Sequence, residues 1–348
     1  MTKEPLLPEW NNEHSVALGK ANLYVRHRLL ESGLFDDENL IRIMDEHPAE
    51  SLTVSTMGSD RLNYQWQECK RNGATGEELL EVVKRGHLWI NIMRLMDFQP
   101  EMASLINDAY DELETRCDGF QATHRTANLL LSSPSAIVYY HVDAPLNILW
   151  HLRGEKRCWV YPTEPPYVTA SCLEDLHAGQ RSEDMQYTPE FDEGAAVYDL
   201  VPGDMVTWAQ NSPHRVENTS GLNVSISTEH LNVEARRQIN VHLANRFLRQ
   251  RLGKQDCSTS IEGAVAQAKV AAMRCARVIN RLWIGEQKKF AYPIAFEVDP
   301  SSPDGIKPID NSYDATANYA EELTREMEDE LGRANDNEQA VSEDSVVS

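Results

Sequence analysis

The sequence predicts a mainly β fold, built as a barrel or double-stranded β-helix, with helical segments on either side of it. From about residue 126 to residue 230, short runs rich in β-branched and aromatic residues alternate with turn residues. In chain order these runs are NLLLSS, AIVYYHVD, LNILWHL, KRCWVYP, AAVYDLV, DMVTWA and LNVSIST. Before and after this stretch helical periodicity dominates. We therefore expect a mixed N-terminal segment (1–125), a β core (126–232), a C-terminal helical region (233–298) and an acidic, partly disordered tail (299–348).

The N-terminal segment contains local signals for several elements. SLTVST at 51–56 and HLWINIMRL at 87–95 read as strands. Asp36 or Asp37 suits the N-cap of a helix, and Thr75 with Glu78 forms a capping box that opens another. Pro100 begins a helix that reaches about Cys117. This segment is expected to pack on the β core.

Two long helices are predicted after the β core, at about 233–252 and 260–284. In the second, apolar residues recur at helical spacing from Ile261 to Leu282 and form one continuous stripe. Such a stripe must be covered by the barrel, by the neighbouring helix or by a second copy of the chain. We expect a homodimer through these C-terminal helices. A further helix is predicted at about 314–333, followed by a tail too polar to bury itself.

The composition limits the classes of partner. The chain has 348 residues and a formal net charge of −22. Nucleic acid and membrane surfaces are therefore disfavoured, since both recruit cationic proteins. The six cysteines contain no C-x-x-C pair, and no apolar run approaches membrane-spanning length. These features predict a cytoplasmic protein without structural disulfides.

One group of residues has the spacing of a metal site. His141 and Asp143 lie two apart at the end of a β run, so their side chains share one face of the strand. The turn Pro202-Gly203-Asp204 precedes His214, which a strand across the barrel would bring to the same point. Two histidines and one carboxylate occupy one face of an octahedral iron(II) ion and leave three positions open. A histidine satisfied by hydrogen bonds in a β core is the alternative for an isolated H-x-D.

Lys156 follows Asp143 by thirteen residues, just past the turn residues Gly154 and Glu155. A lysine that lines a barrel is costly unless an anion pairs with it, and a substrate carboxylate would do so. The alternative is that Lys156 points to solvent at a hairpin and Arg157 faces inward.

Residues 128–162 and 201–218 resemble the Jumonji-C and cupin-like hydroxylases, which are iron(II)- and 2-oxoglutarate-dependent oxygenases. The layout is particularly similar to that of the asparaginyl hydroxylase that inhibits hypoxia-inducible factor. The shared motifs are NLLL, H-x-D, Asn147, G-x-K-R-C at 154–158, the Pro-Gly-Asp turn and the distal histidine. The resemblance implies a jelly-roll catalytic domain over 126–232.

The resemblance also assigns roles to residues. His141, Asp143 and His214 would bind Fe(II), Lys156 would bind the distal carboxylate of 2-oxoglutarate, and Asn147 would hydrogen-bond near this cosubstrate. The family often has a threonine at the position of Val138, and we expect Tyr139 or Tyr140 to replace its hydroxyl. A further polar position of the family corresponds to Thr228 or Glu229.

The implied reaction is hydroxylation of a protein or peptide side chain, or of a small molecule. His151, Trp150 and Trp208 could face the substrate or belong to the core, and the loop 174–193 with His177 could contact substrate. One alternative is a cupin-fold protein that binds a metal or ligand as a regulatory module without turnover. Another is an assembly protein in which the barrel is only a scaffold.

Overall fold

The computed structural model describes residues 4–279 and 291–309. Eight helices lie in these ranges: α1 Asn12–Ala17, α2 Asp37–Glu46, α3 Gly76–Arg85, α4 Leu95–Phe98, α5 Pro100–Arg116, α6 Ala170–His177, α7 Val233–Leu252 and α8 Gly263–Ile279. Twelve strands form one sheet: β1 Leu23–Arg26, β2 Leu52–Thr56, β3 Gln67–Lys70, β4 Leu88–Ile92, β5 Thr123–Ser132, β6 Ile137–His141, β7 Leu146–Val160, β8 Ala196–Leu200, β9 Asp204–Thr207, β10 His214–Leu231, β11 Ile294–Val298 and β12 Ile306–Pro308.

Two long strands, β7 and β10, fold this sheet over on itself. The first part of β7 pairs with β9 and with the end of β10, whereas its second part pairs with β8 and with the start of β10. The start of β10 also pairs with β6, and its end pairs with β5. The result is a smaller face, β8-β7-β10-β6, opposite a larger face, β9-β7-β10-β5. This arrangement is a double-stranded β-helix, as predicted.

Strands from outside the predicted β core extend the larger face. β1 joins one edge through β9, and β4, β2, β3, β11 and β12 continue from β5 at the other edge. The expected boundaries at 125 and 299 therefore fall within one continuous sheet. The region 233–298, expected to be helical, ends in a strand that pairs in parallel with β3.

The helix predictions agree well with the structure. Asp36 caps α2, and Thr75 with Glu78 forms the capping box of α3. α5 begins at Pro100, and α7 spans the predicted range. α8 covers the predicted 260–284 helix up to residue 279, while the remainder, the predicted helix at 314–333 and the tail lie outside the described residues. Within the described ranges, no helix is both long and apolar enough to cross a membrane.

One local prediction was wrong, and the error matters for the site. Gly154 and Glu155 were expected to form a turn between two strands, but both belong to the single strand β7. Gly154 has a φ of +76°, and the pairing register with β10 shifts opposite it. A Cβ atom on Gly154 would lie 2.6 Å from the carbonyl oxygen of Leu222. The glycine therefore permits a sharp bend with close backbone contact, rather than a chain reversal.

Gly154→Ala is expected to destabilise the fold more than a matched substitution at Gly73. Both glycines have left-handed φ angles, but nothing lies within 4 Å of a Cβ at Gly73. Gly73→Ala should therefore cost about 1 kcal/mol of left-handed strain. Gly154→Ala should add roughly 1–3 kcal/mol for the backbone clash. Denaturant unfolding of both variants measures the difference, and equal costs would contradict a bend that depends on close packing.

Candidate active site

His141, Asp143 and His214 meet in the space between the two faces. His141 is the last residue of β6 and lies opposite His214, the first residue of β10, while Asp143 follows in the loop after β6. The Asp143 carboxylate oxygens lie 3.8 Å from Nε2 of His141 and 3.4 Å from Nε2 of His214. Ligand atoms of all three residues lie within 4.8 Å of one another. The residues of the H-x-D motif and the distal histidine thus form a three-residue cluster, although Asp143 lies just beyond the strand that was expected to contain it.

Backbone contacts orient both imidazoles towards the centre of this cluster. Nδ1 of His141 lies 2.7 Å from the carbonyl oxygen of Tyr139, and Nδ1 of His214 lies 3.1 Å from that of Ser212. A carbonyl oxygen only accepts hydrogen bonds, so each Nδ1 carries the proton and each neutral ring keeps its lone pair on Nε2. These are the tautomers that metal-binding histidines require.

The side chains of the cluster do not balance one another's charge and hydrogen-bonding needs. Oδ2 of Asp143 is buried and has no hydrogen-bond partner among the described residues. Burial raises the pKa of Asp143, and burial together with the nearby His141 holds the pKa of His214 well below its usual value. A divalent cation would favour the ionised carboxylate and the neutral imidazoles. The set of two nitrogen donors and one oxygen donor therefore fits a metal such as iron(II).

A cavity of about 340 Å³ opens beside the cluster, and Lys156 lines it. Lys156 is only 6% exposed, and its ammonium group has no hydrogen-bond or ion-pair partner among the described residues. Burial lowers the pKa of its ammonium group to about 8. The side chain of Arg157 is 46% exposed and donates to Asp199 at 2.6 Å. The alternative in which Arg157 faces inward and Lys156 faces solvent is thus wrong.

Asn147 lies in the same cavity, whereas the hydroxyls proposed to replace the family threonine are engaged elsewhere. Asn147 donates through Nδ2 to Oγ of Ser227 at 2.8 Å. The Tyr139 ring lines the cavity, but its hydroxyl accepts from the backbone amides of Gly58 and Gln65 and donates to the Asn63 carbonyl. These three contacts use its full hydrogen-bonding capacity.

Tyr140 and Val138 also leave the position of the family threonine without a hydroxyl in the cavity. The Tyr140 hydroxyl donates to the carbonyl of Tyr167, in a hydrophobic cluster separate from the cavity. Val138 lines the cavity with an apolar side chain. Neither tyrosine therefore presents a free hydroxyl to the cavity in place of the family threonine.

The structure decides which of His151, Trp150 and Trp208 line the cavity and which belong to the core. His151 is fully buried at the bend of β7, where Nδ1 pairs with Ser225 Oγ and Nε2 with the Gly154 carbonyl. Trp150 belongs to the main core and donates to Oγ1 of Thr228. Trp208 lines the cavity, with its ring centroid 4.2 Å from that of His214. Only Trp208 of these three aromatic residues is part of the candidate site.

Several acidic lining residues were missed or left open by the sequence reasoning. They are Glu68, Glu183, Asp184 and Glu229. Glu229 is one of the two positions left open earlier, and the loop 174–193 supplies Glu183 and Asp184, whereas its His177 is not among the lining residues. Glu68 lies on β3, in a segment with no sequence signal that it would reach the site.

Comparisons with known proteins give only distant likenesses. No protein-family model and no curated protein matches the sequence. A structure of YcfD from Escherichia coli is 14% identical, with a TM-score of 0.47 over 79% of this chain and 69% of YcfD. A structure described as YcfD, a ribosomal oxygenase from Escherichia coli in complex with cobalt and 2-oxoglutarate, is 14% identical with a TM-score of 0.41, over 80% of this chain and 70% of YcfD. The DMSP lyase DddQ from Ruegeria pomeroyi DSS-3 is 14% identical with a TM-score of 0.21, over 32% and 40%. At 14% identity and TM-scores below 0.5, these likenesses assign no function to this chain.

Proposed function

We propose that the protein is an iron(II)- and 2-oxoglutarate-dependent oxygenase that hydroxylates a protein or peptide side chain, with a small molecule as the second candidate substrate. The observation that carries this proposal is the buried, unpaired Lys156 in the cavity that also contains the His141, Asp143 and His214 cluster. A buried ammonium group without a partner is costly, so an anion is expected beside it. 2-Oxoglutarate has one carboxylate for the lysine and a second, with its keto group, for the metal.

The three candidate metal ligands and Lys156 lie in two different parts of the cavity. His141, Asp143 and His214 would hold iron, which together with 2-oxoglutarate supplies oxidative decarboxylation coupled to C–H hydroxylation. Lys156 lies opposite Asn218 on β10, four residues from His214. This separation corresponds to about 13 Å along the strand, which leaves room for the lysine side chain and a five-carbon dicarboxylate between them. The Trp208 ring is tilted by 40° against the His214 ring, with centroids 4.2 Å apart, and would help to exclude water from the metal ligands.

An anaerobic titration tests the proposal. With iron(II) bound, adding 2-oxoglutarate should produce the weak visible charge-transfer band of a chelated keto acid. His141→Ala should lose this band because it removes a metal ligand, whereas His124→Ala, which removes an exposed histidine, should retain it. Iron binding without a band at any 2-oxoglutarate concentration would instead favour a metal-binding regulatory protein of the same fold.

The strong negative charge of the chain bears on its location and its partners. We place the protein in the cytoplasm and expect it to bind no nucleic acid, because a net charge of −22 repels phosphate backbones. The same charge offers no attraction to anionic lipid surfaces.

We also propose a homodimer through the C-terminal helices. α8 packs on α7 through Ala266 and Val270, yet Val265 on its other side is 66% exposed. The neighbouring residues Ala268, Ala272 and Cys275 are exposed as well. Among the described residues, part of the predicted apolar stripe is therefore uncovered, and a second copy is the proposed cover.

Light scattering should give the mass of a dimer at micromolar concentration for the unmodified protein. Val265→Asp should shift it to a monomer, since a charge on an apolar contact surface opposes association. Val16→Asp is the matched control, because Val16 is 73% exposed and lies on α1, which is not one of these two helices. A monomeric unmodified protein would remove the dimer proposal.

A further inference from the structure

The bend in β7 turns Lys156 into the cavity, but the glycine at the bend does not enforce it. Gly154 has a φ of +76°, and the register of β7 on β10 passes from Arg153 to Glu155 and skips Gly154. Glycine populates left-handed and right-handed φ values about equally readily, so Gly154 permits the bend and leaves other conformations open. Another group must therefore select the bent conformation.

Lys156 itself favours the opposite outcome in the ligand-free protein. It is only 6% exposed, and burial lowers the pKa of its ammonium group to about 8. A buried ammonium group without a partner is more stable in water, so a relaxed bend would release this side chain towards solvent. Contacts other than those of Lys156 must hold the bend.

The imidazole of His151 holds the peptide that is turned at this bend. Its Nε2 atom lies 2.9 Å from the carbonyl oxygen of Gly154, and its Nδ1 atom lies 3.0 Å from Oγ of Ser225. A carbonyl oxygen only accepts, so Nε2 carries the proton and donates to Gly154, while Nδ1 accepts from the Ser225 hydroxyl. Burial, followed by the nearby charge of Lys156, lowers the pKa of His151 to about 3, which keeps the ring neutral. The ring thus supplies a donor to the carbonyl of the residue that the register skips.

Neighbouring segments hold His151 in place. Its side chain is fully buried, and its backbone carbonyl accepts from the Gly203 amide at 2.9 Å and from Nε2 of His27 at 3.1 Å. Along β7 it follows Asn147 and Leu149, two lining residues of the cavity, at the same strand parity. The imidazole therefore has a fixed position from which it can orient the Gly154 carbonyl.

On the basis of the proposed oxygenase function, we propose that His151 is a positioning residue for 2-oxoglutarate: its Nε2–H donor to the Gly154 carbonyl holds the bend of β7, and the bend holds Lys156 towards the cosubstrate. His151 is not among the lining residues of the cavity, so it acts through Lys156. Lys156 follows Gly154 by two residues, and the direction of its side chain depends on how the intervening peptides are oriented. The site is thereby prepared for a dicarboxylate before one binds.

Two substitutions at His151 separate its two hydrogen bonds. Glutamine places an amide nitrogen near the position of Nε2 and can donate to Gly154. Asparagine places an oxygen near the position of Nδ1, where it can accept from Ser225, and has no atom near Nε2. In protein loaded with manganese(II), which replaces iron so that binding is read without turnover, His151→Asn should weaken 2-oxoglutarate binding about tenfold by calorimetry, and His151→Gln should stay within about twofold of the unmodified protein. Manganese affinity should be unchanged in both variants.

A second ligand and a second background distinguish positioning of Lys156 from a general loss of structure. Pyruvate has the keto acid group for the metal but no distal carboxylate, so His151→Asn should leave pyruvate affinity within about twofold. In Lys156→Ala protein, which lacks the group that His151 positions, His151→Asn should no longer weaken 2-oxoglutarate binding. Equal weakening by the glutamine and asparagine variants, a matching loss of pyruvate binding, or an undiminished effect in the Lys156→Ala background would overturn the inference.

Chemical labelling of the ligand-free protein separates this inference from the oxygenase proposal. A bulky amine reagent such as sulfosuccinimidyl biotin labels lysines at the surface, and peptide mass spectrometry quantifies each site. Lys156 should be protected in the unmodified protein and in His151→Gln, and it should be labelled faster in His151→Asn, with the exposed Lys70 as internal reference. Equal protection of Lys156 in all three proteins would overturn the inference.

The labelling experiment decides the matter in the remaining cases as well. Failure of the unmodified protein to bind 2-oxoglutarate would remove the oxygenase proposal, and labelling would still show whether His151 holds Lys156 in the cavity. If His151→Asn does not fold, His151→Gln decides alone. Labelling of Lys156 at the unmodified rate in that variant supports the role of the Nε2–H donor, and faster labelling contradicts it.

Discussion

Lys156→Ala is expected to weaken 2-oxoglutarate binding by up to about a hundredfold and to leave metal binding intact. A hydrogen bond to a charged group contributes roughly 1.5–3 kcal/mol, and each 1.4 kcal/mol corresponds to about a tenfold change in affinity. Lys156 has no competing partner among the described residues, so the whole interaction is available to the cosubstrate. Calorimetric titration of the manganese-loaded protein measures both affinities.

Arg157→Ala is the matched control for this variant. It removes the adjacent charge of the same sign, but from a side chain that faces solvent and pairs with Asp199. Exposed ion pairs contribute little, so its effect on 2-oxoglutarate affinity should be within about twofold. Equal losses in the two variants would mean that 2-oxoglutarate responds to general charge and not to Lys156.

The Lys156 contribution should also depend on pH with a defined sign. Its pKa of about 8 in the ligand-free protein means that the ammonium form dominates below pH 8 and is lost above it. A bound carboxylate favours the ammonium form and raises this pKa, so binding above pH 8 must take up a proton. 2-Oxoglutarate affinity should therefore be level below pH 8 and fall as the pH rises beyond it. This fall should be absent in Lys156→Ala.

Asp143→Asn is expected to abolish metal binding and at the same time to stabilise the metal-free protein. Loss of an outer-shell partner of a metal site typically costs about 10- to 100-fold in affinity, and loss of a ligand should cost more. The gain in stability follows because Oδ2 of Asp143 is buried without a partner among the described residues. Thermal unfolding with and without manganese should show a higher midpoint for the metal-free variant and no further rise on adding metal.

The pH dependence of the metal-free protein follows from the same carboxyl group. Burial raises the folded-state pKa of Asp143 above its ordinary value of 3.8, so the folded chain keeps a proton that the unfolded chain has already released. The Asp143 contribution to stability therefore falls as the pH rises from the unfolded-state pKa through the folded-state pKa. Asp143→Asn should remove this fall.

Asp204→Asn provides the contrasting case. Asp204 is fully buried, and unlike Asp143 it pairs with Arg26 and accepts from the Tyr24 hydroxyl and the Val201 amide, each at 2.8 Å. Loss of its charge leaves these donors poorly satisfied, so this variant should unfold more readily. A metal-free Asp143→Asn protein that is destabilised as well would contradict an unpartnered carboxylate at the metal centre.

The amino-acid sequence determined the features that depend on near neighbours in the chain. The i, i+2 spacing of His141 and Asp143 predicted that the two side chains meet, and they do, although Asp143 lies in the loop just after β6. The turn at Pro202-Gly203-Asp204 follows from glycine, which has a φ of +92° there. The capping residues of α2 and α3 were equally readable, because a cap bonds to amides two or three residues away.

The tertiary structure decided which side chains enter the cavity beyond these local patterns. Counted by alternation from Asn147, Arg157 would face inward, but the bend at Gly154 shifts the pairing of β7 with β10 and turns Lys156 inward instead. Such a shift depends on close backbone packing against Leu222, which is distant in sequence. Glu68 and Glu183 reach the cavity from β3 and a long loop, and their approach depends on the folded sheet. Since sheet pairing joins distant segments, the charge of the cavity was set by contacts that no local sequence pattern records.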